Sequence, residues 1–183
     1  MPRLFGDRIM LREYQKEDLP YIRQWCNDGE ITEHLSDRFL YPQTVNASEA
    51  FLNGVLEGKS DFKGFVIASK DSAEYIGQID LFQLDWKNRS AELGIVIGRK
   101  DLLGAGYGSE AIRLLLDFAF DSMNLNRVYL ELHEANRRGR KCYEKCGFKE
   151  EGRLKEKLYK NGRYIDMIIM SVLKREHEAN RQP

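Results

Sequence analysis

Leu103-Gly104-Ala105-Gly106-Tyr107-Gly108-Ser109-Glu110-Ala111 stands between a strand pattern at 91–97 and an amphipathic helix pattern at 110–123, where Ile112, Leu115, Leu116, Ala119 and Phe120 share one face. Glycines at alternate positions admit backbone conformations closed to other residues, so successive N–H groups can converge on one anion. The helix that follows adds its positive dipole end and its unpaired N–H groups. A pyrophosphate-bearing ligand fits this chemistry, and a ligand-free glycine turn is the plainer alternative. A P-loop needs Gly-Lys-Ser/Thr, which is absent, and a dinucleotide loop needs Gly-x-Gly-x-x-Gly after the first strand of a parallel unit. Here Gly-x-Gly-x-Gly follows roughly the fourth strand.

Outward from this stretch, Ile9-Met10-Leu11-Arg12 reads as a first strand. Lys16-Glu17-Asp18-Leu19-Pro20 reads as a helix start, continued by Tyr21, Ile22 and Trp25 on an apolar face. Residues 27–46 are weakly periodic and predict a short helix and a long loop around Pro42, while 47–56 predict a helix capped by Asn46 or Ser48. Residues 65–68 and 75–82 predict a hairpin, 91–97 a central strand, 128–132 a strand, and 137–145 a helix ended by Gly147. Residues 154–159 and 164–173 form a second hairpin signal around Asn161-Gly162, and 174–183 predict a frayed tail. Strands before, between and after helices predict an α+β fold of three αβα layers. Its mixed, mostly antiparallel sheet has about seven strands, with helices on both faces.

The chain has 183 residues, with 29 basic side chains balanced by 29 acidic ones, and is 42% hydrophobic and 32% charged. Such a length predicts one domain burying about 70% of its unfolded surface, and the composition excludes a disordered chain. No apolar run approaches the roughly 20 residues of a membrane span, and the N-terminal residues lack a signal-peptide core, so a cytoplasmic protein without membrane contact is expected. Zero net charge argues against nucleic-acid binding. Cys142 and Cys146 have no second pair to complete a zinc site and Cys26 is distant, so no metal is expected.

Downstream lies Asn136-Arg137-Arg138-Gly139-Arg140-Lys141-Cys142-Tyr143-Glu144-Lys145-Cys146-Gly147-Phe148. With the glycine stretch and the closing hairpin, it resembles the GNAT superfamily of acyl-CoA-dependent N-acetyltransferases. Within that superfamily it is most similar to the branch of ribosomal-protein N-terminal and spermidine N-acetyltransferases. The resemblance covers residues 3–173 and implies a single acetyltransferase domain over 1–173, acetyl-CoA as co-substrate, and a homodimer or larger assembly.

It also implies roles. Amides around Leu103, Gly104, Ala105, Gly106, Gly108 and Ser109 hold the pyrophosphate of coenzyme A, although Leu103 stands where relatives carry Gln, Arg or Trp. Backbone groups of Ile95, Val96 and Ile97 pair with the pantetheine arm as an added strand would, and one N–H there polarises the thioester carbonyl. Asn136 meets the pantetheine arm, caps the helix after it, or does both. Gly139 departs from the usual Ser or Ala, which removes a hydroxyl contact. Arg140 lies in a run, 136–149, with six bases and one acid, suited to the phosphates. Tyr143 matches the tyrosine that protonates the departing thiolate, its plainer reading being a half-buried aromatic. Glu92 matches a glutamate that accepts the amine's proton through water, its plainer reading being a solvent-facing strand residue. With no histidine close to Cys142 or Cys146 on their helix, direct transfer in a ternary complex is expected over an acyl-cysteine.

The acceptor is less constrained. Between Glu13 and Asp37 lie seven acids and two bases, an acidic lip suited to a polyamine or a basic peptide. Glu30, Glu33 and Asp37 are spaced to share one helical face and are the candidate substrate-binding residues. A small amine or a peptide N-terminus is the expected partner. The N-terminus of a ribosomal-type protein stands first and a polyamine second, and an idle acyl-CoA-binding module is the alternative outside catalysis.

Overall fold

The computed structural model describes residues 3–181. Its strands form one mixed sheet of eight in the order β1-β2-β3-β4-β5-β6-β8-β7. The extra strand is the short β1 (Leu4–Phe5), paired antiparallel with β2 (Ile9–Arg12). The chain divides into two compact units, one of 1–80 and 95–114, the other of 81–94 and 115–183.

In the first unit β2 also pairs antiparallel with β3 (Lys63–Ser69), so all four of its residues are buried, Arg12 included. A buried guanidinium needs a partner, and Arg12 donates to both carboxylate oxygens of Asp18 at 3.0 and 2.7 Å and to the Glu13 carbonyl at 2.9 Å. Asp18 also accepts from the Gln15 amide at 2.8 Å, which fixes the entry to α1 (Leu19–Cys26). On α1, Trp25 donates to the Tyr75 hydroxyl at 2.9 Å from the start of β4 (Tyr75–Asp85). Its ring lies over Gly98, where a Cβ would come within 2.6 Å. The short helix expected after Asn27 is α2 (Gly29–Thr32), a single turn. α3 (Val45–Leu56) begins two residues before the expected start and is capped by Thr44, not Asn46 or Ser48: Thr44 is extended and its Oγ1 accepts from the Ala47 amide at 3.1 Å.

In the second unit, β6 (Arg127–His133) runs parallel to the start of β5 (Ser90–Ile97) and antiparallel to β8 (Arg163–Leu173), which pairs with β7 (Lys149–Lys160). Asn161 and Gly162 both have positive φ, 52° and 81°, as a two-residue hairpin turn demands. The helix expected over 110–123 is α4 (Tyr107–Asp117), three residues earlier at its start, followed by a π turn, Phe118–Ser122. α5 (Arg137–Lys145) ends as expected at Gly147, φ 93°.

The frayed tail is corrected as far as residue 181, the last two residues lying outside the described ones. α6 (Lys174–Arg181) buries His177, whose Nε2 lies 2.6 Å from Asp117 Oδ1 and whose ring sits 5.3 Å from Phe120. Glu176 accepts from Lys149 at 2.9 Å and from the Leu173 amide at 3.0 Å. The partner of its buried His177, Asp117, is 60 residues away, so periodicity alone could not find this polar helix.

The Arg12–Asp18 pair yields a stability prediction. Asp18→Asn strands the buried guanidinium and is expected to cost on the order of 3 kcal/mol, read as a lower urea midpoint at an unchanged m-value.

Candidate active site

The glycine stretch closes in the first unit. Leu103 is extended, and Gly104 and Gly106 have φ of 76° and 89°. These left-handed conformations would strain other residues. The first α-helical hydrogen bond of α4 runs from the Glu110 amide to the Gly106 carbonyl at 3.2 Å. The amides of Tyr107, Gly108 and Ser109 therefore precede the helical ladder, and Gly108 and Ser109 lie in the first turn, not in the loop before it.

The strand leading into this loop is β5. Its parallel ladder with β6 covers Ser90, Ala91 and Glu92, opposite Arg127, Val128 and Tyr129, and goes no further among the described residues. On the other edge, the Gly98 amide donates to the Ile76 carbonyl at 2.9 Å, and a Cβ on Gly77 would come within 2.1 Å of the Val96 carbonyl. Ile95, Val96 and Ile97 thus lie against β4 on one edge and have no ladder partner on the other. That open edge is a place for an extended ligand to add backbone-type hydrogen bonds.

The second unit holds the expected acid and base. Asn136 caps α5, its Oδ1 accepting from the Gly139 amide at 2.9 Å. A Cβ at 139 would fall 2.6 Å from Asn136 Nδ2, so glycine there lets the asparagine fold back, and Nδ2 is left without a partner among the described residues. Tyr143 packs edge-on against Phe148, centroids 5.9 Å apart. Burial, then the neighbouring Cys142 and Cys146, push its phenol well above its ordinary value, so it holds its proton, and its hydroxyl has no partner among the described residues. Glu92 is half-buried, its carboxyl raised by burial and by Glu131 against the lowering effect of Lys157. It shares a strand face with Gly94, as alternation predicts, while Ala91 and Leu93 are buried.

Several candidates are spoken for. Arg140 donates to Glu144 at 2.9 Å and Glu150 at 2.6 Å, so its charge is already matched. Glu30, Glu33 and Asp37 do not share a helical face: α2 ends at Thr32 and Asp37 opens a separate 3₁₀ turn, Asp37–Phe39. Nor is the acidic lip a free field. Lys100 pairs with Asp28 at 2.9 Å and Glu30 at 3.2 Å, Arg3 with Glu13 at 2.6 Å, and Arg12 with Asp18. Beside these acids, the first unit has a cleft lined by Trp25, Phe39, Phe51, Arg38 and Gln78 among others. Arg38 lies 5.1 Å over the Phe51 ring.

A carboxylate that the periodicity did not single out lies behind that cleft. Asp80 on β4 accepts from the Tyr14 hydroxyl at 2.9 Å and from Gln78 Nε2 at 3.5 Å, and its Oδ1 occupies the space a Cβ on Gly64 would need. Burial pushes its carboxyl up to about 7, against the lowering effect of these two bonds. Its signal in the sequence was a lone acid inside an apolar strand.

An anion-binding loop on a helix start, fed by a strand with one open edge, suits an extended ligand that ends in phosphates. More narrowly, the chain belongs to the acetyltransferase (GNAT) domain family, whose model matches residues 8–149, and it is an acetyltransferase. It is 33% identical over 183 residues to the uncharacterized N-acetyltransferase p20 of Bacillus licheniformis, covering 97% of this chain and 99% of that one. YdaF of Bacillus subtilis, which carries the name of a ribosomal N-acetyltransferase, is 36% identical over 122 residues, 67% of this chain and 66% of its own. The structure of spermidine N-acetyltransferase from Vibrio cholerae in complex with CoA and spermine has a TM-score of 0.83 at 29% identity, covering 94% of this chain and 99% of that one.

Asp80 gives the site a pH signature. A carboxyl whose folded-state value is raised stabilises the fold fully below the ordinary carboxylate range, and that contribution is lost as pH rises through about 7. Asp80→Asn removes the dependence. Between about pH 5 and pH 8 the unsubstituted protein is expected to lose stability relative to the variant, by an amount on the order of a few kcal/mol, in paired thermal melts.

Proposed function

We propose that the chain transfers an acetyl group from acetyl-CoA to a primary amine by direct attack in a ternary complex, the acceptor being a polypeptide N-terminus of the ribosomal-protein kind. The open edge of β5 leading into the glycine loop carries the first part of this reading. The amides of Gly104, Gly106 and Gly108 hold the pyrophosphate, the Ala105 amide being taken by the Leu102 carbonyl at 3.4 Å, and the open edge at 95–97 holds the pantetheine arm through the backbone groups that face away from β4. Bound acetyl-CoA supplies the acetyl group as a thioester, whose carbonyl carbon takes the amine's lone pair as the C–S bond breaks. Tyr143, kept protonated by burial, gives its proton to the departing sulfur, and the second proton, which the nitrogen sheds on becoming an amide, restores the phenol. Glu92, raised above its ordinary value, accepts the proton that an alkylammonium must lose before it can attack. Asn136 Nδ2 remains to meet the pantetheine arm while Oδ1 caps α5.

For the acceptor, the paired state of Asp28, Glu30, Glu13 and Asp18, together with the Arg38 cation in the lining of the cleft, favours a peptide over a polycation. A polyamine acceptor is the second reading, favoured by the likeness to the Vibrio enzyme. Thiol release from acetyl-CoA over short peptides, amino acids and spermidine separates them. Turnover on peptides alone supports the first, and turnover on spermidine alone the second. CoA binding with silence on every amine contradicts both and leaves an acyl-CoA-binding module.

Two substitutions test the roles. Tyr143→Phe is expected to lower kcat by roughly a hundredfold with little change in acetyl-CoA affinity. Glu92→Gln is expected to flatten the acid limb of the pH–rate profile, and an unchanged limb removes Glu92 from the mechanism.

A further inference from the structure

The glycine loop is braced by a residue far away in sequence. Arg8, between β1 and β2, donates from Nη1 to the Ala105 carbonyl at 2.9 Å and from Nε to Glu110 Oε2 at 3.0 Å. Its own amide donates to Glu110 Oε1 at 2.8 Å, joined by the Ile9 amide at 3.3 Å. The guanidinium also covers the Tyr107 ring at 4.4 Å. Glu110 reaches this position because residue 6 is glycine: a Cβ there would fall 2.5 Å from its Oε1. Burial pushes the Glu110 carboxyl up, and the two amides and the guanidinium more than reverse it, leaving a carboxylate held below its ordinary value.

The consequence for the loop follows from peptide geometry. In a trans peptide the carbonyl and the N–H point in opposite directions, so anchoring the Ala105 carbonyl on Arg8 turns the Gly106 amide to the opposite side of the loop. Glu110 fixes the same guanidinium from the first turn of α4, tying loop and helix start to one cation. Without the anchor, a loop with glycines on both sides of Ala105 has little to stop that peptide from flipping. A flipped peptide would offer a carbonyl where an anion needs a donor.

We propose that Arg8 and Glu110 are positioning residues that pre-set the amides of the 104–108 loop for the pyrophosphate of coenzyme A. The inference rests on the proposed use of this loop, and the two are separable by experiment. CoA is titrated calorimetrically into the full chain, with thermal melts in parallel. Arg8→Gln and Glu110→Gln are each expected to weaken CoA roughly tenfold, the loss of one or two charge-assisted bonds. The double variant should be no weaker than the worse single one, because the two act as a unit. Arg3→Gln, which cuts the separate ion pair to Glu13, is expected to leave CoA affinity unchanged. In turnover, the KM for acetyl-CoA rises while kcat stays nearly constant. Arg8→Gln with unaltered CoA affinity overturns the proposal and leaves the loop reading in place, as does an equal loss in Arg3→Gln. Absence of CoA binding by the unsubstituted protein overturns the loop reading itself.

Discussion

The parallel ladder between β5 and β6 ends at Glu92, and much of the proposed chemistry depends on that ending. Had the ladder continued, the alternate amides of 93–97 that face away from β4 would be consumed within the sheet. Because it stops, Ile95, Val96 and Ile97 keep one set of backbone groups free on a strand held on its other edge by β4. An exposed edge is normally a liability that invites pairing with another chain. Here the chain runs from that edge through a short 3₁₀ turn, Lys100–Leu102, into a loop whose glycines and helix start suit an anion. One extended ligand with amides in its arm and phosphates at its end satisfies both features.

Charge compensation bears on the proposed acceptor. The sequence has equal totals of acid and base, with −5 over residues 13–37 and +5 over 136–149. Folding dissolves much of that contrast. Arg3, Arg12 and Lys100 reach the acids of the first segment, and from outside the second segment Glu150 and Glu176 reach its Arg140 and Lys149. Exposed pairs of this kind contribute only about 0–1 kcal/mol each. Their effect on the surface field is larger than their effect on stability, because a paired acid attracts a polycation far less than a free one.

What was legible in the sequence is what is encoded locally. The glycine stretch, the Asn136 cap, the Gly147 helix stop and the Asn161-Gly162 turn each rest on residues within a few positions of one another, and each stands where expected. The misses turn on distant partners or on elements too short to carry a period. α6 looked like a polar tail because its buried partner, Asp117, is 60 residues away. β1 has two residues and pairs only with its neighbour, too short for any periodicity. The Glu30, Glu33 and Asp37 face failed because α2 is a single turn ending at Thr32 and Asp37 opens a separate 3₁₀ turn. Asp80 and Arg8 take their meaning from Tyr14, Gly64, Ala105 and Glu110, contacts that no window of sequence contains.

The central claim is that the free edge of β5 and the glycine loop hold one ligand together. Amide hydrogen exchange of the full chain, with and without saturating acetyl-CoA, tests it most directly. The predicted result is slowed exchange at alternate amides within 93–97 and at those of 104–109, in the same titration. Binding of acetyl-CoA, reported by a raised melting temperature, with unchanged exchange in both segments would contradict it.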